Sequence, residues 1–213
     1  MDYSVLYKLT YGLYVAGAFK SGRPVGCVIN TCFQVTSENP LLVISLNKNN
    51  FTLDAIRENK RFSLSIIAED TDPAIIGKFG FFSGRDTDKY ADFGYDVVSY
   101  VPCVKGNFAG RLILEAENFI DCGTHVLVLA RLTDTVEGSG TPMTYEYYHR
   151  VIKGKAPKNA PTYREETAAD TGAAKRRYEC GVCHYIAETD GELPEDYTCP
   201  ICGVDRSFFH EID

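Results

Sequence analysis

Two pairs of cysteines near the C-terminus, Cys180-x2-Cys183 and Cys199-x2-Cys202, stand fifteen residues apart in CGVCHYIAETDGELPEDYTCPIC. Each pair can wrap one side of a tetrahedral ion, so the spacing predicts a four-thiolate metal site. Zinc and iron both accept four sulfurs, and geometry alone does not separate an inert clasp from a centre that carries electrons. A carrier needs a source of electrons, so the residues ahead of Tyr178 decide the question.

Those residues hold a second group with chemistry. Lys48, Asn49, Asn50 and Thr52 precede or open a predicted helix in KNNFTLDAI, where free N–H groups and the helix dipole favour an anion such as phosphate. Lys48 alone would be an ordinary surface lysine; the Asn and Thr that follow give it value. His125 begins a strand and His149 sits among Tyr145, Tyr147 and Tyr148, which suits packing or surface roles better than acid–base work. No GxGxxG and no P-loop occurs, so a nicotinamide would bind transiently rather than in a nucleotide domain of its own.

The elements that must position these groups come from an ordinary globular composition. Of 213 residues, 45% are hydrophobic and 24% charged, which excludes a disordered or fibrous chain. Runs such as YGLYVAGAF and LLVISL fall short of the ~20 residues that span a bilayer, and MDYSVLYK is no signal peptide. A soluble, cytoplasmic protein is expected. The net charge of −7 is uneven: residues 1–152 carry −3, residues 153–177 carry +4 and residues 178–213 carry −8. The acidic tail argues against nucleic acid and would steer toward a basic protein surface. Cys27, Cys32, Cys103 and Cys122 lie in apolar, strand-like sequence and read as buried small hydrophobes.

Strands are predicted over 12–19 and 24–35 across a tight SGR turn, then over 41–47, 61–69, 96–101, 111–121 and 124–137. Short helices are expected in NNFTLDAIREN and in DPAIIGKFG, the latter closed by glycine. FSGRDTDKYADFGYD reads as a loop held by function or partner contacts, and PMTYEYYHRVI as a terminal element. The whole reads as about seven strands closed as a small barrel. Residues 153–177 have no apolar periodicity and read as a linker of ~25–30 Å mean span.

The tail from Tyr178 resembles a rubredoxin from end to end, including LPEDYTCPICGV and the aromatics Tyr178, Tyr185, Tyr197, Phe208 and Phe209. It differs from typical rubredoxins in a shorter loop between the pairs, in Tyr197 where Trp is usual, and in His184 where the first knuckle usually has Gly. The glycine position favours φ > 0, which His tolerates at some cost. GCVINTCFQVTSENPLLVISLNKNNFTLDAI, with GKFGFFSGRDTDKYADF and GTHVLVLARL, resembles the flavin reductase-like, FMN-binding split-barrel family. The order of these segments over about 150 residues carries that resemblance, and the whole chain resembles the high-molecular-weight rubredoxins.

The resemblance implies a mainly β (α+β) fold: an FMN-binding split β-barrel over 1–152, a linker over 153–177 and a small rubredoxin-like domain with a four-cysteine metal site over 178–213. It implies FMN, with its phosphate held by Ser45, Lys48, Asn50 and Thr52 and its ring edge lined by Asn30, Thr31 and Cys32, with Gln34 and Thr36 near. Lys78 is expected beside the same pocket. Asn30 and Thr31 are costly inside an apolar strand unless bonded, a need that flavin or a cross-strand hydrogen bond would meet. The metal is expected to be iron, with zinc as a substitute. Electrons would pass from NAD(P)H to FMN, then to iron, then to a redox partner such as a flavodiiron protein that reduces oxygen or nitric oxide. Two other readings remain: a flavin or ferric reductase with a zinc docking tail, and a non-enzymatic carrier. The family implies a homodimer, with Tyr145–Tyr148 as a candidate contact.

Overall fold

A computed structural model of the chain describes residues 4–152, 156–157, 160–162, 176–189 and 191–212. Runs of β-branched and aromatic residues become strands wherever one face can be buried. They are β1 (Tyr14–Lys20), β2 (Arg23–Ile29), β3 (Cys32–Gln34), β4 (Leu41–Asn47), β5 (Arg61–Ile67), β6 (Tyr95–Val98), β7 (Val101–Val104), β8 (Phe108–Cys122) and β9 (His125–Glu137). The helices are α1 (Phe51–Asn59), α2 (Pro73–Phe81) and α3 (Tyr145–Arg150).

Seven strands form one antiparallel sheet in the order β2-β1-β5-β8-β9-β4-β3. Its two edges are consecutive in sequence, joined only by Asn30 and Thr31. Three Cα–Cα steps reach at most about 11 Å, so the sheet must curl until its edges nearly meet. A barrel with a seam results, and the polar pair lies in the seam rather than mid-strand. Long strands need bends to follow the curve; β8 slips register against β9 at Ile113/Leu114 and again at Ala116/Asn118.

Elsewhere the structure differs from the sequence reading in two places. The predicted strand 96–101 is a hairpin, β6 and β7, because Ser99 (φ 45°) and Tyr100 (φ 71°) take the left-handed turn conformation without any glycine. The helix in DPAIIGKFG is not closed by glycine: it runs through Gly80 to Phe81.

Each helix begins on a capping side chain. Asn50 accepts from the Thr52 N–H, Asp72 from Ala74 and Thr144 from Tyr147. Helix α1 buries Leu53 and Ile56 completely against Ile44, Leu64 and Val128 inside the barrel. Each is worth about 1.5–3 kcal/mol. A second cluster, with Ile75, Phe79, Tyr90 and Phe108, lies beneath α2. The C-terminal residues form β10 (Arg176–Cys180), β11 (Ile186–Thr189) and β12 (Phe209–Ile212), ordered β11-β10-β12. Most of the predicted linker lies outside the described residues, and no described helix is long and apolar enough to cross a membrane.

One glycine pair anchors the loop after α2. Gly17 of β1 faces Gly26 of β2, and the Tyr90 hydroxyl sits over both, 2.7 and 2.8 Å from where a β-carbon would stand. Tyr90 thereby fixes the polar segment 82–94, including its neighbour Lys89. Gly17→Ala would also bring a methyl 2.5 Å from the Pro102 carbonyl. Overpacking of this kind should cost about 1–3 kcal/mol in urea unfolding; a neutral substitution would contradict the packing described.

Candidate functional site

The four predicted ligands converge. Cys180, Cys183, Cys199 and Cys202 present sulfurs that all lie within 4.8 Å of one another. Cys183 is 3.4 Å from Cys199, and Cys180 is 3.6 Å from Cys202. Bonds of about 2.3 Å to a central ion give tetrahedral edges of about 3.8 Å, whereas a disulfide needs about 2.05 Å. The donor set therefore fits one tetrahedral ion, iron or zinc. Backbone amides point at the sulfurs: Tyr185 at Cys183, Ile201 and Cys202 at Cys199, and Val204 at Cys202. Such N–H···S bonds favour thiolates and tune a metal's potential. Sulfur–sulfur hydrogen bonds shared with Cys183 and Cys202 hold the Cys199 thiol well below its usual range and push Cys183 up.

Two turns make this possible. The His184 and Gly203 amides donate back to the carbonyls of Cys180 and Cys199, at 2.8 and 2.9 Å. Both residues take positive φ, 60° and 72°, as the knuckle position requires. The His184 ring is held 2.7 Å from Glu179 Oε1. Tyr178, Tyr185, Tyr197 and Phe209 pack beside the cluster, whereas Phe208 stays half exposed.

The second site is a cavity of about 330 Å³ at the barrel seam, a size typical of small-molecule sites. Its wall comes from the ends of β2 and β4, the start of α1, the C-terminal half of α2, and α3. Of the residues expected to bind flavin, Asn30, Ser45, Asn50 and Thr52 line it. Asn30 donates to Thr162 Oγ1 at 2.9 Å, Thr162 donates to the Tyr145 hydroxyl, and Thr31 donates to Asn30. Asn50 caps α1 and Thr52 is buried, with Cys27 bonded to both.

The other expected residues stand elsewhere. Lys48 pairs with Asp121 at 2.7 Å, and Lys78 with Asp92 at 2.7 Å. Gln34 donates to the Thr36 carbonyl in the exposed turn after β3. Cys32 packs against the barrel core, where burial pushes its thiol up to about 12 and leaves it neutral. Of the remaining scattered cysteines, Cys27 and Cys103 are buried as expected, but Cys122 is exposed at the β8–β9 turn.

The sequence reading missed Lys89 and Tyr148. Lys89 is the only lysine or arginine among the described cavity residues; it is buried, donating to the carbonyls of Gly26 and Phe79 at 2.9 and 3.0 Å. Its sole signal was its place in an oddly polar loop. The Tyr148 hydroxyl is buried without a hydrogen-bond partner, and its ring lines the cavity. Burial, and then the nearby Cys183, Tyr145, Cys199 and Cys202, raise its pKa far above the usual tyrosine value. Tyr148 therefore lines the cavity within electrostatic reach of the thiols. An apolar slab, an orphaned hydroxyl, a buried cation and a helix N-terminus together fit FMN's ring and phosphate.

The metal module touches this cavity directly. Val182 and His184 form part of its wall, and Phe81 and Ile152 pack against the cysteine cluster.

Desolvation holds the Lys89 ammonium down to about 8. In the unfolded chain the same group keeps its proton to about 10.4. Between these values the unfolded chain binds the extra proton, so rising pH favours the folded apoprotein through Lys89. The stability of wild type relative to Lys89→Met should rise by ~3 kcal/mol between pH 8 and 10.5 in denaturant titrations. A pH-independent difference would place Lys89 in water.

Known proteins resemble both sites. A family profile for the flavin reductase like domain matches residues 6–155. The chain is 38% identical to the high molecular weight rubredoxin of Moorella thermoacetica, covering 100% of both. It is 33% identical to the ferric-chelate reductase (NAD(P)H) of Archaeoglobus fulgidus, over 78% of this chain and 99% of that one. An FMN-binding protein from Thermus thermophilus shares the fold, with a TM-score of 0.57 at 22% identity over 62% of this chain and 74% of that one. The chain belongs to the flavin reductase-like family of oxidoreductases and, with its four-cysteine rubredoxin-like module, to the high-molecular-weight rubredoxins within it.

Proposed function

We propose that the chain oxidises NAD(P)H at FMN seated in the seam cavity and delivers the electrons, through iron held by Cys180, Cys183, Cys199 and Cys202, to an acceptor protein. The observation that carries this reading is the shared wall: Val182 and His184 of the metal module line the same cavity as Asn30, Ser45, Asn50 and Thr52. Bound flavin supplies the conversion between a two-electron hydride and the single electrons that iron accepts.

The chain's own residues supply orientation and charge. The N-terminus of α1 and Thr52 would face an anion, Lys89 adds a positive charge with no ion-pair partner among the described residues, and Asn30 offers an amide to the ring edge. Ile29, Leu46 and Phe79 form an apolar slab that excludes water. Lys48 would join the phosphate only by leaving Asp121. The nicotinamide donor is supported by the named activity of the Archaeoglobus fulgidus relative, a ferric-chelate reductase (NAD(P)H). A tail that carries −8 suits delivery to a basic protein surface; a flavodiiron protein is our candidate acceptor. The division at 152/153 and 177/178, a cytoplasmic location and a homodimer belong to the same proposal. Exposed Phe33 on edge strand β3 and Val35 just after it support a dimer, whereas Tyr148 of the expected contact segment is buried inside the chain.

Two measurements test this. Thr52→Ala and Lys89→Met should each weaken FMN binding about tenfold or more, since a charge-assisted contact is worth about 1.5–3 kcal/mol; affinity unchanged in both would put the phosphate elsewhere. In stopped-flow mixing with NADH, the flavin band should bleach before the iron band, and Cys199→Ser should abolish only the second phase. Iron reduced first would overturn the order.

A further inference from the structure

Helix α2 contains a glycine that nothing in the barrel explains. Gly77 sits mid-helix, where glycine is less favourable than alanine by about 1 kcal/mol. It has ordinary helical backbone, not a positive φ, so no turn demands it. A β-carbon built there would stand 2.6 Å from the Cys202 Cα, and nearer still to the Ile201 carbonyl oxygen. Both obstructing atoms are backbone of the second metal knuckle, which cannot swing aside as a side-chain tip would. Gly80, one turn on, is different: a β-carbon there meets only ordinary contacts at 3.7 Å and beyond.

Apolar packing surrounds this contact. Phe81 of α2 and Ile152 press on the cluster that contains Cys180, Cys183, Cys199 and Ile201. Val182 and His184, from the first knuckle, reach the seam cavity, which Tyr148 also lines. The first knuckle therefore meets the barrel at the cavity wall, and the second rests on α2, whose C-terminal half lines the same cavity.

We infer that α2 is an intramolecular docking seat for the metal module, and that Gly77 is the positioning residue that lets the Ile201–Cys202 knuckle sit at the flavin cavity. The absent side chain trades helix stability for close approach of the two sites. Any side chain at 77 lifts the module from its seat while leaving the barrel's share of the cavity lining intact, since Gly77 itself does not line it. The purpose assigned to the seat, short passage of electrons between the sites, rests on the function proposed above; the seat itself does not.

The test uses the full chain loaded with FMN and with redox-inert zinc, read by small-angle X-ray scattering. Seated wild type should show the radius of gyration of a compact particle, ~17 Å for a monomer or ~22 Å for the homodimer proposed above. Gly77→Ala should raise it by about 3 Å, since the released module is held only by a linker of ~25–30 Å. Its barrel should melt no lower than wild type, because alanine favours the helix. Gly80→Ala should stay as compact as wild type. In the iron-loaded form, Gly77→Ala should keep flavin reduction by NADH and slow the second phase, iron reduction. A Gly77→Ala chain as compact as wild type, or a wild type already extended, would overturn the seat. Compact wild type with an extended variant supports it even where NADH reduces neither centre, so seat and function fail separately.

Discussion

Strand β2 ends at Ile29 and strand β3 begins at Cys32, yet the two strands are opposite edges of one sheet. Two residues must bridge them, and that requirement curls the sheet. Curling brings the end of β4, the N-terminus of α1 and the C-terminal half of α2 around one hollow. It also explains why polar Asn30 and Thr31 interrupt an apolar run: at a seam they are hydrogen-bonded and reachable, whereas mid-strand they would carry a burial penalty. Everything placed around the cavity depends on this closure.

The cavity's electrostatics follow from what the closure buries. Lys89 is drawn beneath the seam because Tyr90 is locked over Gly17 and Gly26. A buried ammonium with two carbonyl partners and no carboxylate partner among the described residues costs stability in the empty protein, a cost that a bound anion would offset. The metal cluster has the opposite character. Its thiols shed protons to bind an ion, and backbone amides, fixed by two positive-φ turns, hold the resulting negative charge.

Local signals were legible and long-range ones were not. Two CxxC pairs define their site within 23 residues, and the need for a positive φ at His184 could be read from its place in the first knuckle. Helix α1 and its Asn50 cap were legible because both lie in one short run. The anion group divided, since Lys48 follows the last strand residue and turns outward to Asp121 while Asn50 and Thr52 turn inward. The hairpin at Ser99–Tyr100 was hidden because its turn lacks the glycine or asparagine that marks such turns. Lys89, Tyr148 and Gly77 gain their roles only from partners brought by the fold from distant parts of the chain. Gly77 meets Ile201 from 124 positions away, a pairing no local pattern encodes.

The central claim is that one chain holds flavin and iron together. Flavin extraction and metal analysis of protein made with iron supplied and air excluded test it most directly. The account predicts one FMN and one iron per chain, with FMN lost from Thr52→Ala and iron lost from Cys199→Ser, each independently. Protein that carries only zinc under those conditions, or that binds no flavin, would contradict it.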